Sequence, residues 1–253
     1  MNETLEPPSP SHLIREARGL IELPRLFLRI PSLARQPRGS GEPVLVLPGY
    51  GAGDGSTMIL KGYLRLLGYR ARGWGLGKNH GAVGDSLPRL LRRLANFSRR
   101  SQQKVTIVGW SFGGYLAREL ARERPDLVSL VITLGTPVIG GPKYTVAAES
   151  YRKRGIDIEA VAAEVELRNR MGNLEIPVVA IYSRRDAMVA WQACIDNHTP
   201  NIEHVEVEST HLGFGFSADV YKVIAQRLKQ SNGHGAAPAT RRRRRLRLEK
   251  LPR

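Results

Sequence analysis

Ser111 stands in Gly109-Trp-Ser111-Phe-Gly113, between the apolar run Val105–Val108 and an amphipathic stretch that starts at Phe112. A serine at a sharp strand-to-helix turn is held in a strained backbone conformation. Glycines two positions before and after it let neighbouring segments pass close by. Such a turn presents the hydroxyl at the start of a helix, where free N–H groups and the helix dipole favour negative charge. That setting suits acyl transfer. The plain alternative is a glycine-rich turn with a solvent-facing serine.

A serine hydroxyl is a weak nucleophile until a base takes its proton, and histidine titrates in the right range. Of the six histidines, His12 and His234 lie in terminal regions, and His80 is in a glycine-rich loop. His198 is in a polar loop, and His204 is inside an expected strand. His211, in Ser209-Thr-His-Leu-Gly, follows the last expected strand and precedes the last expected helix. A loop there reaches the carboxyl edge of a sheet. The base in turn needs a carboxylate to orient it. Asp186 follows a strand-like run, lies after the serine and before the histidine, and is the candidate. Its rival is Asp196, expected in a helix, and an ion pair of Asp186 with Arg184 or Arg185 is the bland reading. Val44-Leu-Val-Leu-Pro-Gly49-Tyr50-Gly51 is a strand entering a glycine turn. In such a site the amides of Tyr50 and Phe112 would form the oxyanion hole. No G-x-x-x-x-G-K-[ST] pattern supports a phosphate loop there instead.

These residues need a scaffold that brings them to one edge. Short apolar runs alternate with helical stretches across 44–230, the pattern of βαβ units and a mostly parallel sheet. The runs predict six strands: Val44–Leu47, Tyr69–Trp74, Val105–Gly109, Val128–Leu134, Val178–Ser183 and His204–Val207. Helices are expected at Ser56–Leu67, Ser86–Arg99, Phe112–Glu123 and Ser217–Lys229. Several strands are wholly apolar, as in a sheet covered by helices on both faces. Residues 135–177 read as a small cap insertion with a helical core at Ile158–Arg170, and its Tyr144, Tyr151 and Met171, with Trp191, are expected to wall an acyl pocket.

Residues 1–43 are rich in Pro and Arg. Leu13, Ile14, Ala17, Leu20 and Ile21 recur at helical spacing, so a helix over Ser11–Leu23, ended by Pro24, is expected to lay that face on the domain. A membrane-surface helix is the alternative. Residues 231–253 have no core-forming pattern and are expected to be a disordered basic tail. Arg241–Arg253 holds eight basic residues against Glu249, seven of the net +16 charges. Such a run can contact anionic membrane or nucleic acid through phosphates; with no aromatic residue in 231–253, nucleic-acid contact would be sequence-indifferent. A single cysteine, Cys194, gives no internal disulfide. With an acidic start and no apolar run long enough to span a bilayer, a cytoplasmic location is the expectation.

With these residues in place the chain resembles the α/β-hydrolase superfamily over about 44–230, and its small bacterial esterase/lipase-like members most. Leu47-Pro-Gly-Tyr-Gly, Trp74-Gly-Leu-Gly-Lys-Asn-His-Gly, Gly109-Trp-Ser-Phe-Gly-Gly, Leu134-Gly-Thr-Pro, Tyr182-Ser-Arg-Arg-Asp and Ser209-Thr-His-Leu-Gly carry the likeness. The resemblance implies a Ser–His–Asp acyl-enzyme mechanism that uses no metal or organic cofactor. It departs in two places: the usual opening pair of antiparallel strands is not evident, and Pro-Gly-Tyr-Gly stands where many esterases have His-Gly-Gly-Gly. The expectation is a serine hydrolase that cleaves a carboxylic ester, with a small-molecule or lipid-like acyl substrate. Thioester or amide cleavage, acyl transfer, and a non-catalytic hydrolase-shaped binding module remain open.

Overall fold

A computed structural model describes residues 5–171 and 174–234. Six parallel strands form one sheet: β1 Pro43–Leu47, β2 Arg70–Gly73, β3 Val105–Trp110, β4 Val128–Leu134, β5 Val178–Tyr182 and β6 Ile202–Glu206. Their order across the sheet is β2-β1-β3-β4-β5-β6. Every expected strand is present, with ends displaced by one or two residues.

Alternation along β1 explains why both faces are covered. Val44 and Val46 point to one side, where they pack with α2 (Met58–Leu66) and α7 (Ala218–His234). Leu45 and Leu47 point to the other, against α3 (Val83–Ser101) and α4 (Phe112–Glu123). All five residues of β1 are buried. The chain leaves β1 toward one face and β3 toward the other, and the two strands are neighbours. Loops that part in this way open a crevice at the carboxyl ends of the strands. Gly49 and Ser111 stand at that crevice.

The insertion contains a 3-10 turn at Gly141–Tyr144, then α5 Ala148–Lys153 and α6 Ile158–Met171. Its expected helical core is therefore present. The last helix runs to His234, beyond the expected start of the tail at 231. Residues 235–253, including the arginine run and the expected tail contacts, lie outside the described residues.

The N-terminal extension differs from expectation. A 3-10 helix spans Pro10–Arg18, and α1 (Gly19–Ala34) continues through both Pro24 and Pro31. A proline inside a helix removes one backbone bond and crowds the preceding turn. Here both prolines are exposed, so water can take the carbonyls that lose their partners. The segment does pack on the domain, but through other residues. Glu16, Gly19, Leu26 and Leu33 are buried, whereas Leu13, Ile14, Ala17 and Ile21 lie outward. Apolar spacing located a face, and a buried carboxylate fixed the opposite one inward.

Candidate active site

Ser111 adopts φ 54° and ψ −123°, a conformation that few non-glycine residues hold. The surroundings enforce it. Ser111 N donates to Leu134 O at 2.7 Å, and Thr136 Oγ1 donates to Ser111 O at 2.9 Å. A Cβ on Gly109 would strike the Gly113 carbonyl, and one on Gly113 would strike that of Leu47. The small residues of the motif thus let β1, β3 and α4 meet at the serine. Phe112 opens α4, so its N–H is one of the free donors of a helix start.

The loop after β1 lies beside it. A Cβ added at Gly49 would come within 3.3 Å of the Ser111 Cβ. Fully buried Asn79 holds this loop: its Nδ2 donates to Pro48 O at 2.9 Å, and its backbone exchanges bonds with Gly51 and Ala52. Asn79 belongs to the Leu-Gly-Lys-Asn-His-Gly stretch, where sequence alone gave it no task. Among the described residues the Tyr50 amide donates to no backbone carbonyl of a turn or loop. Its ring packs at a tilt against Tyr151 of the insertion, centroids 5.3 Å apart, and its hydroxyl accepts from Arg154.

Asp186 and His211 come together from loops after β5 and β6. His211 Nδ1 lies 2.6 Å from Asp186 Oδ2. Asp186 Oδ1 accepts from the amides of Met188 and Val189, both at 2.8 Å, so the carboxylate is fixed before the imidazole reaches it. Arg184 and Arg185 pair instead with Glu206 and Glu208. The ion-pair alternative for Asp186 therefore falls away. Asp196, the rival acid, lies in a loop past the 3-10 turn Trp191–Cys194 rather than in a helix, and pairs with buried Arg118. His204 Nε2 accepts from Asp196 N, which places it far from the serine's role.

Burial pushes the His211 pKa down, but the charge and hydrogen bond of Asp186 and the charge of Glu16 outweigh it. The net value is raised above the ordinary 6.5. Since Nδ1 is engaged by Asp186, Nε2 is the nitrogen left to exchange a proton. Ser111 and His211 line one cavity of about 370 Å³, without a hydrogen bond between them among the described residues. Catalytic hydrogen bonds often tighten only when substrate is bound.

That cavity is walled by Gly49, Tyr50 and Phe112 around the serine, and by Pro137, Ile156, Val161, Val165 and Met188 further out. Of the expected wall residues only Tyr151 is among them. Tyr144 lies under Lys143, Met171 is 78% exposed, and Trp191 stacks between Tyr182 and Arg184. Branched aliphatics of α6, unremarked in the sequence, supply the apolar surface instead.

Glu16 is the site residue that sequence reasoning missed. Its Oε1 accepts from Ala187 N at 2.9 Å and His211 N at 3.1 Å, and its Oε2 from Leu212 N at 2.8 Å. One carboxylate of the N-terminal extension thus joins the loop of Asp186 to the loop of His211. It is 4% exposed.

The same architecture recurs in solved structures. A chain reported with the metagenome-derived lipolytic enzymes LipS and LipT superposes with a TM-score of 0.60 at 16% identity, over 79% of this chain and 96% of that one. This is the α/β-hydrolase fold. The Bacillus licheniformis lipase BlEst2 in mature form shares it with a TM-score of 0.58 at 15% identity, covering 77% of this chain and 94% of its own. The alpha/beta hydrolase domain-containing protein 10 from mouse gives 0.56 at 15% identity, over 80% and 94%. No protein-family model and no curated protein sequence matches the chain. In this α/β-hydrolase fold the described strands are all parallel, and the 3-10 helix and α1 stand where an opening antiparallel pair was not evident in the sequence.

Proposed function

We propose that the protein is a serine hydrolase that cleaves a carboxylic ester whose acyl group lies in the apolar cavity. The observation that carries this reading is the Asp186–His211 pair on the same cavity as a serine held at φ 54°. Ser111 Oγ attacks the ester carbonyl while His211 Nε2 takes its proton. The carbonyl oxygen becomes an oxyanion, for which the amides of Tyr50 and Phe112 are the donors. Asp186 keeps the proton of His211 on Nδ1 and stabilises the ring while it is charged. The tetrahedral adduct collapses, the C–O bond to the alcohol breaks, and His211 protonates the leaving oxygen. Water then attacks the acyl-enzyme, giving its proton to His211. The second adduct collapses to the free acid, and Ser111 recovers its proton.

Esters of acyl chains are favoured as substrates because branched aliphatic and aromatic side chains line the cavity beyond the serine, with few polar groups to recognise a peptide or sugar. The test is a fluorophosphonate label together with a short-chain ester assay. Label is expected on Ser111, and Ser111→Ala is expected to lose turnover by roughly 10⁴-fold or more. Full turnover in that variant overturns the proposal.

A further inference from the structure

The outer side of the N-terminal segment is a feature that the hydrolase reading leaves unused. Ile21, Pro24, Leu28 and Pro31 follow one another at three- and four-residue spacing, so they form one line along α1. All four are exposed, Ile21 at 53% and Leu28 at 82%. Phe27, 61% exposed, stands to one side of this line, and Arg25 and Arg29 to the other. Leu26 and Leu33 on the opposite side of the helix are buried against the domain. The preceding 3-10 helix adds exposed Leu13 and Ile14 beside Arg15. Water gains nothing from this arrangement, and apolar patches of this kind mark surfaces that meet something else.

We propose that this face seats on the surface of an anionic lipid bilayer. Charge decides among possible occupants. Arg15, Arg25, Arg29 and Arg35 are exposed along the segment, while the acids of its two helices, Glu16 and Glu22, turn inward or lie half-buried. A helix with an apolar outer line, an aromatic side chain on one side of it and arginines on the other fits the boundary between acyl chains and phosphate headgroups. A second copy of the chain fits poorly, because a two-fold contact would set arginines against arginines. No helix among the described residues is long and apolar enough to cross a membrane, so the contact is one of surface seating. The cavity adjoins this segment: Leu212, 45% exposed and part of the cavity lining, is the residue whose amide Glu16 holds. Seating would therefore bring the rim of the cavity to the lipid.

Sedimentation of the full chain with vesicles tests this independently of catalysis. Binding to mixed phosphatidylcholine and phosphatidylglycerol vesicles is expected, and weaker binding to phosphatidylcholine alone. Phe27→Ser with Leu28→Ser should lower the partition by about tenfold or more, since both side chains lose apolar burial. Arg29→Glu with Arg35→Glu should lower it about as much in low salt. Because these positions are exposed, an unchanged thermal midpoint is expected and shows that the fold survives. Replacing Arg241–Arg245 by serine separates the tail, and binding that persists in that variant supports the proposal. Ser111→Ala protein should bind as the parent does, so failure of the hydrolase reading leaves this one standing. Unchanged binding of the Phe27/Leu28 variant, loss of binding through the tail replacement alone, or a dimer that the Phe27/Leu28 variant splits would each overturn it.

Discussion

Asp186 and Asp196 sit ten positions apart and are built to the same local plan. In each, Oδ1 accepts the amides two and three residues ahead, Met188 and Val189 in one case, His198 and Thr199 in the other. In each, Oδ2 is then aimed at a cationic or ionisable side chain from a distant element. The partners make the difference. Arg118 is 2% exposed on α4 and stays charged at every working pH, so its pair with Asp196 is fixed. Burial raises the Asp196 pKa, but Arg118, the Thr199 hydroxyl and the His198 amide overcome that and hold it at about 2. His211 can lose its proton, and its free nitrogen belongs to a cavity that also holds a serine. A short carboxylate-led turn is thus a way to aim one oxygen. Whether it serves stability or chemistry depends on what it is aimed at.

The comparison sharpens under substitution. Asp186→Asn keeps the shape but sets an N–H where His211 needs an acceptor, forcing the other tautomer. A fall in kcat of about 10⁴-fold is expected, with urea midpoints close to the parent's. Steady-state kinetics beside urea unfolding check both halves. Asp196→Ala should do the reverse. It leaves Arg118 buried without its carboxylate, and one of that guanidinium's nitrogens already has no partner. A loss of about 3–5 kcal/mol in unfolding free energy is expected, while kcat per folded molecule holds. If Asp196→Ala instead abolished turnover in protein that unfolds like the parent, the division between the two aspartates would be wrong.

Much of this site was legible because its signals are local. Ser111 sits in a five-residue motif flanked by strand and helix patterns, Asp186 follows the apolar strand β5 by a few residues, and His211 stands between the last strand and the last helix. The central strands could be read because β1 and β5 are continuous apolar runs, and β3 and β4 are buried runs broken only by Thr106, Ser129 and Thr133. Glu16 gives no such signal. Its partners lie 171 to 196 residues away, and a lone glutamate in an arginine-rich segment looks like a solvated charge. The inward face of that segment was misread for the same reason. Spacing of Leu13, Ile14 and Ile21 reports an apolar side, but three backbone amides of other loops decided which side turned in. The cavity walls were misassigned because aromatic residues draw notice, whereas Val161 and Val165 on α6 do the lining.

The smallest effect expected is the most specific to how the two loops are joined. Glu16→Gln removes one of the charges that raise the His211 pKa. His211 must be neutral to act as base, so in the parent kcat/KM should climb with pH through a value above the ordinary 6.5. In the variant that climb should move to lower pH. Its plateau should also fall, by roughly tenfold to a hundredfold if the two loops loosen by an ångström or less. A pH–rate profile of both proteins separates the two effects. An unmoved acid limb with an unmoved plateau would reduce Glu16 to packing.

The clasp made by Glu16 joins the N-terminal helical segment to loops 171 to 196 residues further on. During synthesis that carboxylate waits through 171 further residues before its first partner exists. A protein cut back to Pro43 would keep every strand, the serine, the aspartate and the histidine, and would still lack the piece that holds the last two in register. Whatever grips or trims the opening helix therefore has a handle on the pairing of Asp186 with His211 without entering the cavity.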